Sequence, residues 1–561
     1  MNARWLAVAR GDEPADLVIR GGRVFSVFTR EWLDTSLAVV DGYVVGLGEY
    51  EGTRTLDAEG AYLTPGFIDA HVHIESSKLM LDEFSRAVLP HGTTAVVADP
   101  HEIANVLGTD GVHWLLDACE RVPLDVFVMA PSCVPASPLE SPRRPFNVGD
   151  LEGLLRRHRT IGVAEMMNFP GVIAGQPGEL GKLQTGLTEH VDGHAPGVRG
   201  RALNAYVAAG IHSDHECATY DEALEKRRLG MWIMLRDGSA ARNLVDLLPL
   251  VKELGPERCM FCTDDREPVF LVEEGHIDQM VRTAVEHGIR PEDALVMATL
   301  NPAQYHGLRH LGAIAPGCQA DIVFLEDLRS FKARRVLKRG AEPVYQPVDT
   351  PEWVRKTVNI APLPDSAFEV RAPARRIRVM RVIPGQLATG CDLVEPSVRN
   401  GVMVADPKRD LVKIAVIERH HATGRTGVGF ATNVGLERGA FASTVAHDAH
   451  NVVVLGVDDA DMARCVRRLA EIGGGIVVVV AGKVLGELPL PVAGLMSDAP
   501  LTEVHRRLAA MEEVLRANGV RWDAPFMCLS FLALSVIPEL KITDRGLVDV
   551  GRSELVPLAF D

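Results

Sequence analysis

The sequence predicts an α/β protein whose centre is a TIM-like (β/α)8 barrel inserted in a small β-sandwich, with an α+β domain after it. Three observations predict this fold. Apolar strand-like runs alternate with helical stretches from about residue 67 to residue 310, and nearly every run ends in His, Glu or Asp. Short strand-like segments separated by Gly lie on both sides of that region. Functional groups of such barrels sit at the carboxyl ends of the strands, so the pattern also indicates an active site.

Composition narrows the class of partner. The chain has 561 residues, 47% of them hydrophobic, and a formal net charge of −16. Nucleic-acid binding depends on clustered Lys and Arg, so this charge favours a small-molecule substrate and no nucleic-acid partner. The nine cysteines are scattered, which suits free thiols in a reducing cytoplasm. The sequence contains neither a signal-peptide pattern nor an apolar run of the roughly 18 residues that span a membrane, so we expect a cytoplasmic protein without a membrane partner.

The strand-like segments outside the barrel predict the sandwich. Residues 320–325 repeat the pattern of residues 15–20. Two such segments can pair in one sheet, which would leave the residues between them as an insertion; the alternative is coincidence between two ordinary strands. The inserted length suits a barrel of about 250 residues. We therefore predict sandwich segments at residues 1–66 and 311–345 and a barrel at residues 67–310.

The first barrel strand ends in His71 and His73. Side chains alternate across a strand, so residues two apart point to one side and these imidazoles can bind one cation. A pair of histidines hydrogen-bonded on a sheet face is the alternative, but further histidines and acids end the other runs. The eight predicted strands are residues 67–73, 93–99, 125–130, 162–165, 190–194, 211–216, 231–237 and 259–265.

Longer motifs resemble one enzyme family. The segment Pro65-Gly66-Phe67-Ile68-Asp69-Ala70-His71-Val72-His73 and the split sandwich are similar to the amidohydrolase superfamily. Within it, the chain resembles the adenine deaminases over nearly its whole length. The segments that carry this closer resemblance are Glu75-Ser76-Ser77, Asp99-Pro100-His101-Glu102-Ile103-Ala104-Asn105, Thr263-Asp264-Asp265-Arg266, Glu418-Arg419-His420-His421 and Val445-Ala446-His447-Asp448-Ala449-His450-Asn451.

The resemblance implies a binuclear divalent metal centre. Imidazoles and carboxylates suit Mn2+, Fe2+ or Zn2+, and a carboxylate can bridge two cations. Many relatives bridge their metals with a carboxylated lysine, whereas Glu165 stands at that position here, as in the adenine deaminase subgroup. The alternatives are core histidines bonded to backbone and, for Glu165, a surface acid. The implied ligands are His71, His73, Glu165, His194, His215 and Asp264.

Weaker candidates surround this set. His101, Glu102, Asp237 and Asp265 could protonate a ring nitrogen, bind substrate, hold a further metal or only orient a ligand. We assign Glu102 and Asp265 to catalysis, together with Asp264. We assign His101 and Asp237 to substrate binding.

The C-terminal part of the chain has a different texture. Repeated prolines between residues 343 and 373 predict a linker at residues 346–375. Strand-like and helical runs then predict an α+β domain at residues 376–561 that covers the active site. Its histidine-rich run adds His447, Asp448 and His450 to the substrate-binding candidates; a surface cluster is the alternative. Residues 424–429 are rich in Gly but do not form a P-loop pattern, and they are typical of an ordinary turn.

The predicted reaction is hydrolytic deamination of free adenine to hypoxanthine and ammonia. The resemblance implies that water activated by the two metals attacks C6, that a ring nitrogen is protonated and that Asp264 relays the proton. The alternatives are hydrolysis of a cyclic amide or an N-acyl group on the same fold, and a catalytically silent binding protein. A homodimer is the expected assembly, although no pattern in the sequence bears on it.

Overall fold

The computed structural model describes residues 3–186, 190–364, 366–371 and 375–560. A helix, Ala3–Arg10, precedes two small sheets that form the sandwich. Facing side chains such as Leu17, Val39 and Phe324 form one buried apolar cluster between them. The four-stranded sheet contains Ala15–Arg20, Leu37–Val40, Tyr43–Leu47 and Gly52–Asp57, and the five-stranded sheet contains Arg23–Ser26, Glu31–Asp34, Tyr62–Pro65, Ile322–Leu325 and Ala333–Leu337.

One pairing in the sandwich differs from the prediction. Residues 15–20 and 320–325 lie in opposite sheets and do not pair. Ile322–Leu325 runs antiparallel beside Tyr62–Pro65, the strand that directly precedes the barrel. The chain leaves and re-enters the sandwich at neighbouring strands, because the two ends of an inserted barrel must lie close together. The predicted insertion itself is confirmed.

All eight predicted barrel strands are present. Neighbouring strands within the barrel pair in parallel. Apolar and β-branched residues fill them because both faces are covered; in the second strand, all six residues are buried. Numbered one to eight, the strands are Phe67–Val72, Thr93–Ala98, Asp125–Ala130, Thr160–Met166, Val191–Gly193, Ser213–Asp214, Trp232–Arg236 and Cys259–Cys262.

The barrel closes at two seams. Strand eight meets strand one through a parallel bridge between Val72 and Asp264, and His73 donates its backbone N–H to the Asp264 carbonyl oxygen at 3.0 Å. Strand five meets strand six where the Gly193 N–H donates to Ser213 Oγ at 3.1 Å. A Cβ at Gly193 would lie 2.1 Å from the Ser213 carbonyl oxygen, so this seam requires glycine. Closure brings the carboxyl ends of the eight strands to one opening.

Helices cover the outside of the barrel. Leu81–Val88 shows the pattern that holds them there, since Leu81, Phe84 and Val88 are buried at helical spacing. The helices between the first barrel strand and the return to the sandwich are Leu81–Val88, His101–Leu107, Thr109–Cys119, Val148–Leu155, Phe169–Ile173, Pro177–Gly186, Gly200–Ala208, Tyr220–Arg228, Leu244–Leu254, Pro268–Glu273, Ile277–Glu286, Pro291–Ala298 and Leu300–Tyr305. In the part of the chain that the structure describes, no helix has both the length and the apolar character needed to cross a membrane.

A nine-stranded sheet forms the centre of the C-terminal domain. Its strands are Arg376–Val382, Thr389–Val394, Val412–Ile417, Thr426–Thr432, Ala440–Ser443, Val452–Gly456, Gly475–Val480, Lys483–Pro489 and Ala559–Phe560. Two three-stranded sheets accompany it, one of Val370–Arg371, Ser397–Arg399 and Val402–Val404 and one of Leu540–Thr543, Gly546–Asp549 and Glu554–Val556. The helices of this domain are Asp459–Glu471, Leu501–Ala517 and Pro525–Phe531.

The glycine-rich residues 424–429 do not form the predicted turn. From Thr426 onward they belong to the strand Thr426–Thr432. A Cβ at Gly427 would lie 2.1 Å from the Thr543 carbonyl oxygen. Glycine there lets the small sheet pack closely on the large one, which is why the sequence is rich in glycine without forming a loop.

The C-terminal domain lies over the barrel opening. One apolar cluster extends from Val72 and Phe84 of the barrel to Phe441 and Leu508 of the C-terminal domain. The Ser497 N–H also donates to the Lys78 carbonyl oxygen at 2.8 Å. In the predicted linker, Val354 is buried and its carbonyl oxygen accepts from the Ala493 N–H at 2.8 Å. Residues 365 and 372–374 of that linker, Pro373 among them, lie outside the described residues.

Candidate active site

Four ligand-type atoms meet at the carboxyl ends of strands one, four and eight. His71 Nε2 and His73 Nε2 are 3.2 Å apart. They lie 3.6 and 3.1 Å from Asp264 Oδ1, and 3.7 and 3.3 Å from Glu165 Oε1. Ligand atoms placed about 2.1 Å from a tetrahedral cation are separated by about 3.4 Å. The four atoms are therefore spaced as one divalent ion requires.

A second group of atoms faces the other oxygen of Glu165. Glu165 Oε2 lies 2.6 Å from His194 Nδ1 and 3.2 Å from His215 Nε2. The two imidazole nitrogens are 3.3 Å apart. The two oxygens of one carboxylate thus face two separate sets of nitrogen and oxygen atoms, which is the arrangement of a bridging ligand.

Neighbouring groups orient the floor residues. His73 Nδ1 lies 2.9 Å from the Asp99 carbonyl oxygen, so Nδ1 donates its proton there and Nε2 presents a lone pair to the centre. The His71 ring stacks on the His215 ring with centroids 4.3 Å apart. Asp264 has a φ of 57°, in the left-handed region, and backbone strain of this kind is typical of functional sites.

The opposite side of the centre is formed by the C-terminal domain. Asp448 Oδ1 lies 3.4 Å from His101 Nε2 of the barrel and 3.1 Å from His447 Nδ1. His447 Nε2 lies 3.6 Å from Asp265 Oδ1. The structure therefore brings four further predicted site residues to the same place as the predicted ligands.

These groups enclose a cavity of about 250 Å³. Its floor is lined by the ligand-type side chains, and its remaining wall by Leu387, Phe531, Leu534 and Ile537 of the C-terminal domain. The Phe531 ring stacks on the His447 ring, with centroids 4.7 Å apart and 15° between the planes. A polar floor beneath an apolar wall suits a small heterocycle.

Comparison with known proteins decides the family. Residues 62–349 match the amidohydrolase family, and residues 386–554 match the adenine deaminase C-terminal domain. An adenine deaminase of Nitratidesulfovibrio vulgaris is 49% identical over 97% of this chain and 96% of its own length. Adenine deaminases of Desulfatibacillum aliphaticivorans and Archaeoglobus fulgidus are each 46% identical, over 99% and 100% of this chain and 99% and 98% of their own.

This chain belongs to the adenine deaminase family of amidohydrolases. It is therefore a metal-dependent hydrolase, and the donor atoms described above fit divalent cations. Imidazole nitrogens and carboxylate oxygens are ligands that such ions accept. The combinations of His71, His73 and Asp264, and of His71, Glu165 and His215, are each close enough to hold an ion.

Electrostatics keeps the two floor carboxylates ionised. Burial alone would raise the pKa of Glu165, but the imidazoles of His194 and His215 outweigh it and hold the pKa well below its ordinary value. Burial also opposes ionisation of Asp264, yet the Arg236 guanidinium holds the pKa of that carboxyl well below its ordinary value. Ionised carboxylates are the form that binds metal in this family of sites.

Sequence reasoning missed Arg236 and Glu216. Arg236 Nη1 donates to Asp264 Oδ2 at 2.7 Å, and its guanidinium also binds both carboxylate oxygens of Glu216. Glu216 Oε1 in turn lies 3.7 Å from His194 Nδ1 and from His215 Nε2. A usable signal existed, since an arginine inside the apolar run of residues 231–235 must find a buried anion.

Asp237 is the predicted site residue that the structure keeps away from the cavity. Its carboxylate accepts from Arg242 Nε at 3.1 Å and from Gln279 Nε2 at 2.9 Å. Consecutive side chains of a strand point to opposite sides, so Arg236 faces the centre and Asp237 turns away from it. The prediction of substrate contact at Asp237 is corrected on this ground.

Glu102 and His450 lie close to the cavity but do not line it. Ser76 Oγ donates to Glu102 Oε1 at 2.7 Å and also binds Asp265. His450 Nδ1 accepts from the Ala446 N–H at 3.2 Å, which leaves the proton on Nε2, and Nε2 lies 3.6 Å from Glu102 Oε2. Both side chains are fully buried, so they form a polar layer directly behind the cavity wall.

Proposed function

We propose that this chain hydrolyses adenine to hypoxanthine and ammonia at a binuclear divalent metal centre. The observation that carries the proposal is the position of Glu165, whose two oxygens face separate donor sets on the floor of a small cavity. The match of residues 386–554 to the adenine deaminase C-terminal domain supports adenine over a cyclic amide or an N-acyl substrate. That domain supplies His447, Asp448 and the apolar wall of the cavity.

The floor residues divide into two ligand sets in this proposal. His71, His73 and Asp264 would hold one ion and His194 and His215 the other, with Glu165 between them. Nitrogen and oxygen donors of this kind suit Mn2+ or Fe2+, and Zn2+ is the alternative. When bound, such cations act as Lewis acids and lower the pKa of coordinated water toward neutrality.

The protein side chains would handle the protons and orient the base. Deamination forms a C6–O bond from water and breaks the C6–N6 bond, so a proton must reach the ring and another the leaving amine. Asp264, on the floor, is placed to relay a proton from the attacking water. Asp265 and His447, whose nearest atoms are 3.6 Å apart, would donate to the ring, while His101 and Asp448 fix its position. Glu102 would act through Ser76 and Asp265.

The enclosed cavity supports the free base as substrate. The apolar wall of the C-terminal domain lies directly over the floor, and the residues that form it are buried. A ribose or phosphate on N9 would have to displace that wall. The net charge of −16 also disfavours a nucleotide.

The setting of the enzyme is proposed on weaker grounds. We infer a cytoplasmic homodimer with no nucleic-acid or membrane partner. The described cysteines form no disulfide, which suits a reducing compartment, and the homodimer follows from family resemblance alone.

The test is a substrate panel. Purified protein supplied with Mn2+ is assayed for ammonia release from adenine, adenosine, AMP, a hydantoin, a dihydropyrimidine and an N-acetyl sugar, with hypoxanthine followed in the ultraviolet. We expect turnover of adenine with a kcat/KM far above all others. Adenosine turned over as well as adenine would contradict the closed cavity, and turnover of only an amide substrate would overturn the proposed function.

A further inference from the structure

The cavity over the metal centre is enclosed, so the substrate needs a route to it. The side chains that line it come from the barrel floor and from the C-terminal domain, and those of His447, Asp448, Leu534 and Phe531 are at most 5% exposed. A second, larger cavity of about 700 Å³ adjoins it, and we name this cavity the vestibule. The vestibule reaches solvent, because the exposed residues Ala218 and Gln386 line it. Its other lining residues include Gly197, Asn243 and Ala388.

Three side chains separate the two cavities. Glu216, Leu387 and Ile537 line both of them. Glu216 is fixed, since the Arg236 guanidinium binds both of its carboxylate oxygens. Leu387 and Ile537 are aliphatic and come from the C-terminal domain, so their side chains can change rotamer without breaking a hydrogen bond.

The backbone around these two aliphatic residues is held in place. Lys541 is fully buried, and its Nζ donates to the Leu387 carbonyl oxygen at 2.7 Å and to the Phe531 carbonyl oxygen at 3.0 Å. The Thr389 N–H donates to the Pro538 carbonyl oxygen at 2.9 Å. The two segments that carry Leu387 and Ile537 are therefore joined to each other. Movement of side chains, and not of the whole domain, is the smallest change that connects the cavities.

We propose that adenine enters through the vestibule and that Leu387 and Ile537 form a gate that sets the size of the base admitted. The gate rests on the proposed function, because it concerns the substrate of the same site. Glu216 gives the passage one polar side, which can hydrogen-bond an amino group or ring N–H as the base passes. The fixed backbone makes the opening narrow, which favours a flat, unsubstituted heterocycle over a larger one.

Two matched leucine variants test the gate. Leu387→Ala removes a side chain shared by both cavities, whereas Leu534→Ala removes one that lines the inner cavity alone. We measure kcat/KM for adenine, N6-methyladenine, 9-methyladenine and adenosine. For at least one larger base, Leu387→Ala should raise its kcat/KM relative to adenine about tenfold, with a change below about twofold in Leu534→Ala. Equal changes in both variants, or no change in either, would overturn the gate.

Blocking the vestibule tests the route. Ala218→Cys places a thiol on its exposed wall, and a bulky methanethiosulfonate reagent then fills the space reversibly. The same variant is assayed before labelling, after labelling and after reduction, with labelled wild type as the control. We expect labelling to lower kcat/KM for adenine at least about tenfold, and reduction to restore it. If wild type deaminates adenine and labelled Ala218→Cys does so equally well, the route is wrong although the proposed function stands; wild type without adenine turnover would instead refute the proposed function.

Discussion

The floor and the lid of the cavity are held together in different ways. The floor consists of charged and imidazole side chains at the ends of barrel strands, where closed β-pairing fixes each backbone position. The lid consists of apolar side chains on loops and a short helix of the C-terminal domain, fastened by contacts such as those of Lys541. A strand end fixes chemistry to within a fraction of an ångström, whereas a loop can vary in sequence without disturbing it. The difference teaches that reaction type belongs to the floor and substrate choice to the lid.

The largest effect is expected on the floor, at Glu165. Glu165→Gln keeps the shape of the side chain but removes the charge that both donor sets face. Loss of a partner that only orients a metal ligand costs about 10–100-fold, so loss of a bridging ligand should lower kcat by more than about a thousandfold. Metal content, measured by mass spectrometry after gel filtration, should fall together with activity.

Glu512→Gln is the matched control for that change. Glu512 is also a buried glutamate, and burial raises its pKa to about 8, so it is largely neutral near pH 7 and an amide replaces it at little cost. We expect metal content and turnover close to those of wild type. If Glu165→Gln behaved like this control, Glu165 would not bridge and the floor would have to be reassigned.

A lid variant should separate turnover from metal binding. Asp448→Asn removes the charge that lies between the His101 and His447 imidazoles. Because neither donor set includes Asp448, the metal content should stay at the wild-type level while kcat/KM for adenine falls about 10–100-fold. Loss of metal in this variant would show that the lid helps to build the floor, and the division between the two regions would fail.

A smaller effect, on stability and not on chemistry, is expected at Lys541. Burial lowers the pKa of its ammonium group to about 7 in the folded protein, against about 10.4 when unfolded. Between these two values the unfolded chain holds the proton and the folded protein does not, so this residue makes the free energy of unfolding rise with pH. Above about pH 10.4 the burial penalty is absent, and it grows as the pH falls toward 7.

The measurement compares wild type with Lys541→Met. Melting temperatures are recorded by differential scanning fluorimetry at pH 7, 8.5 and 10, and the wild-type value minus the variant value should increase with pH. Other titrating groups contribute equally to both proteins and cancel in the difference. A difference that stays constant, or that decreases with pH, would mean that Lys541 remains charged in the folded lid.

The floor could be predicted from the sequence because its signals are local. His71 and His73 are two residues apart on a strand, and Glu165, His194, His215 and Asp264 each end or follow an apolar run. The family resemblance then assigned these residues to one centre, and the structure brings them together. Their individual roles, and the domain limits at residues 66, 310, 345 and 375, stay predictions.

The lid could not be predicted because its signals are ordinary. Leu387, Phe531, Leu534 and Ile537 have the composition of any buried segment, and only the docking of the C-terminal domain places them on the cavity. The error at Asp237 had a related cause, since a carboxylate after an apolar run was preferred to the arginine beside it. The pairing of residues 15–20 with 320–325 failed because similar patterns specify strands but not strand partners.

The most direct test of the account is metal titration of the apoprotein with adenine as substrate. Metal-free protein receives between zero and four equivalents of Mn2+, and hypoxanthine formation is followed at each step together with the bound metal. The two donor sets that share Glu165 predict that activity reaches its plateau at two equivalents and that chelation removes it. Full adenine deamination with a single bound ion, or none at two equivalents, would contradict the binuclear centre on which the account depends.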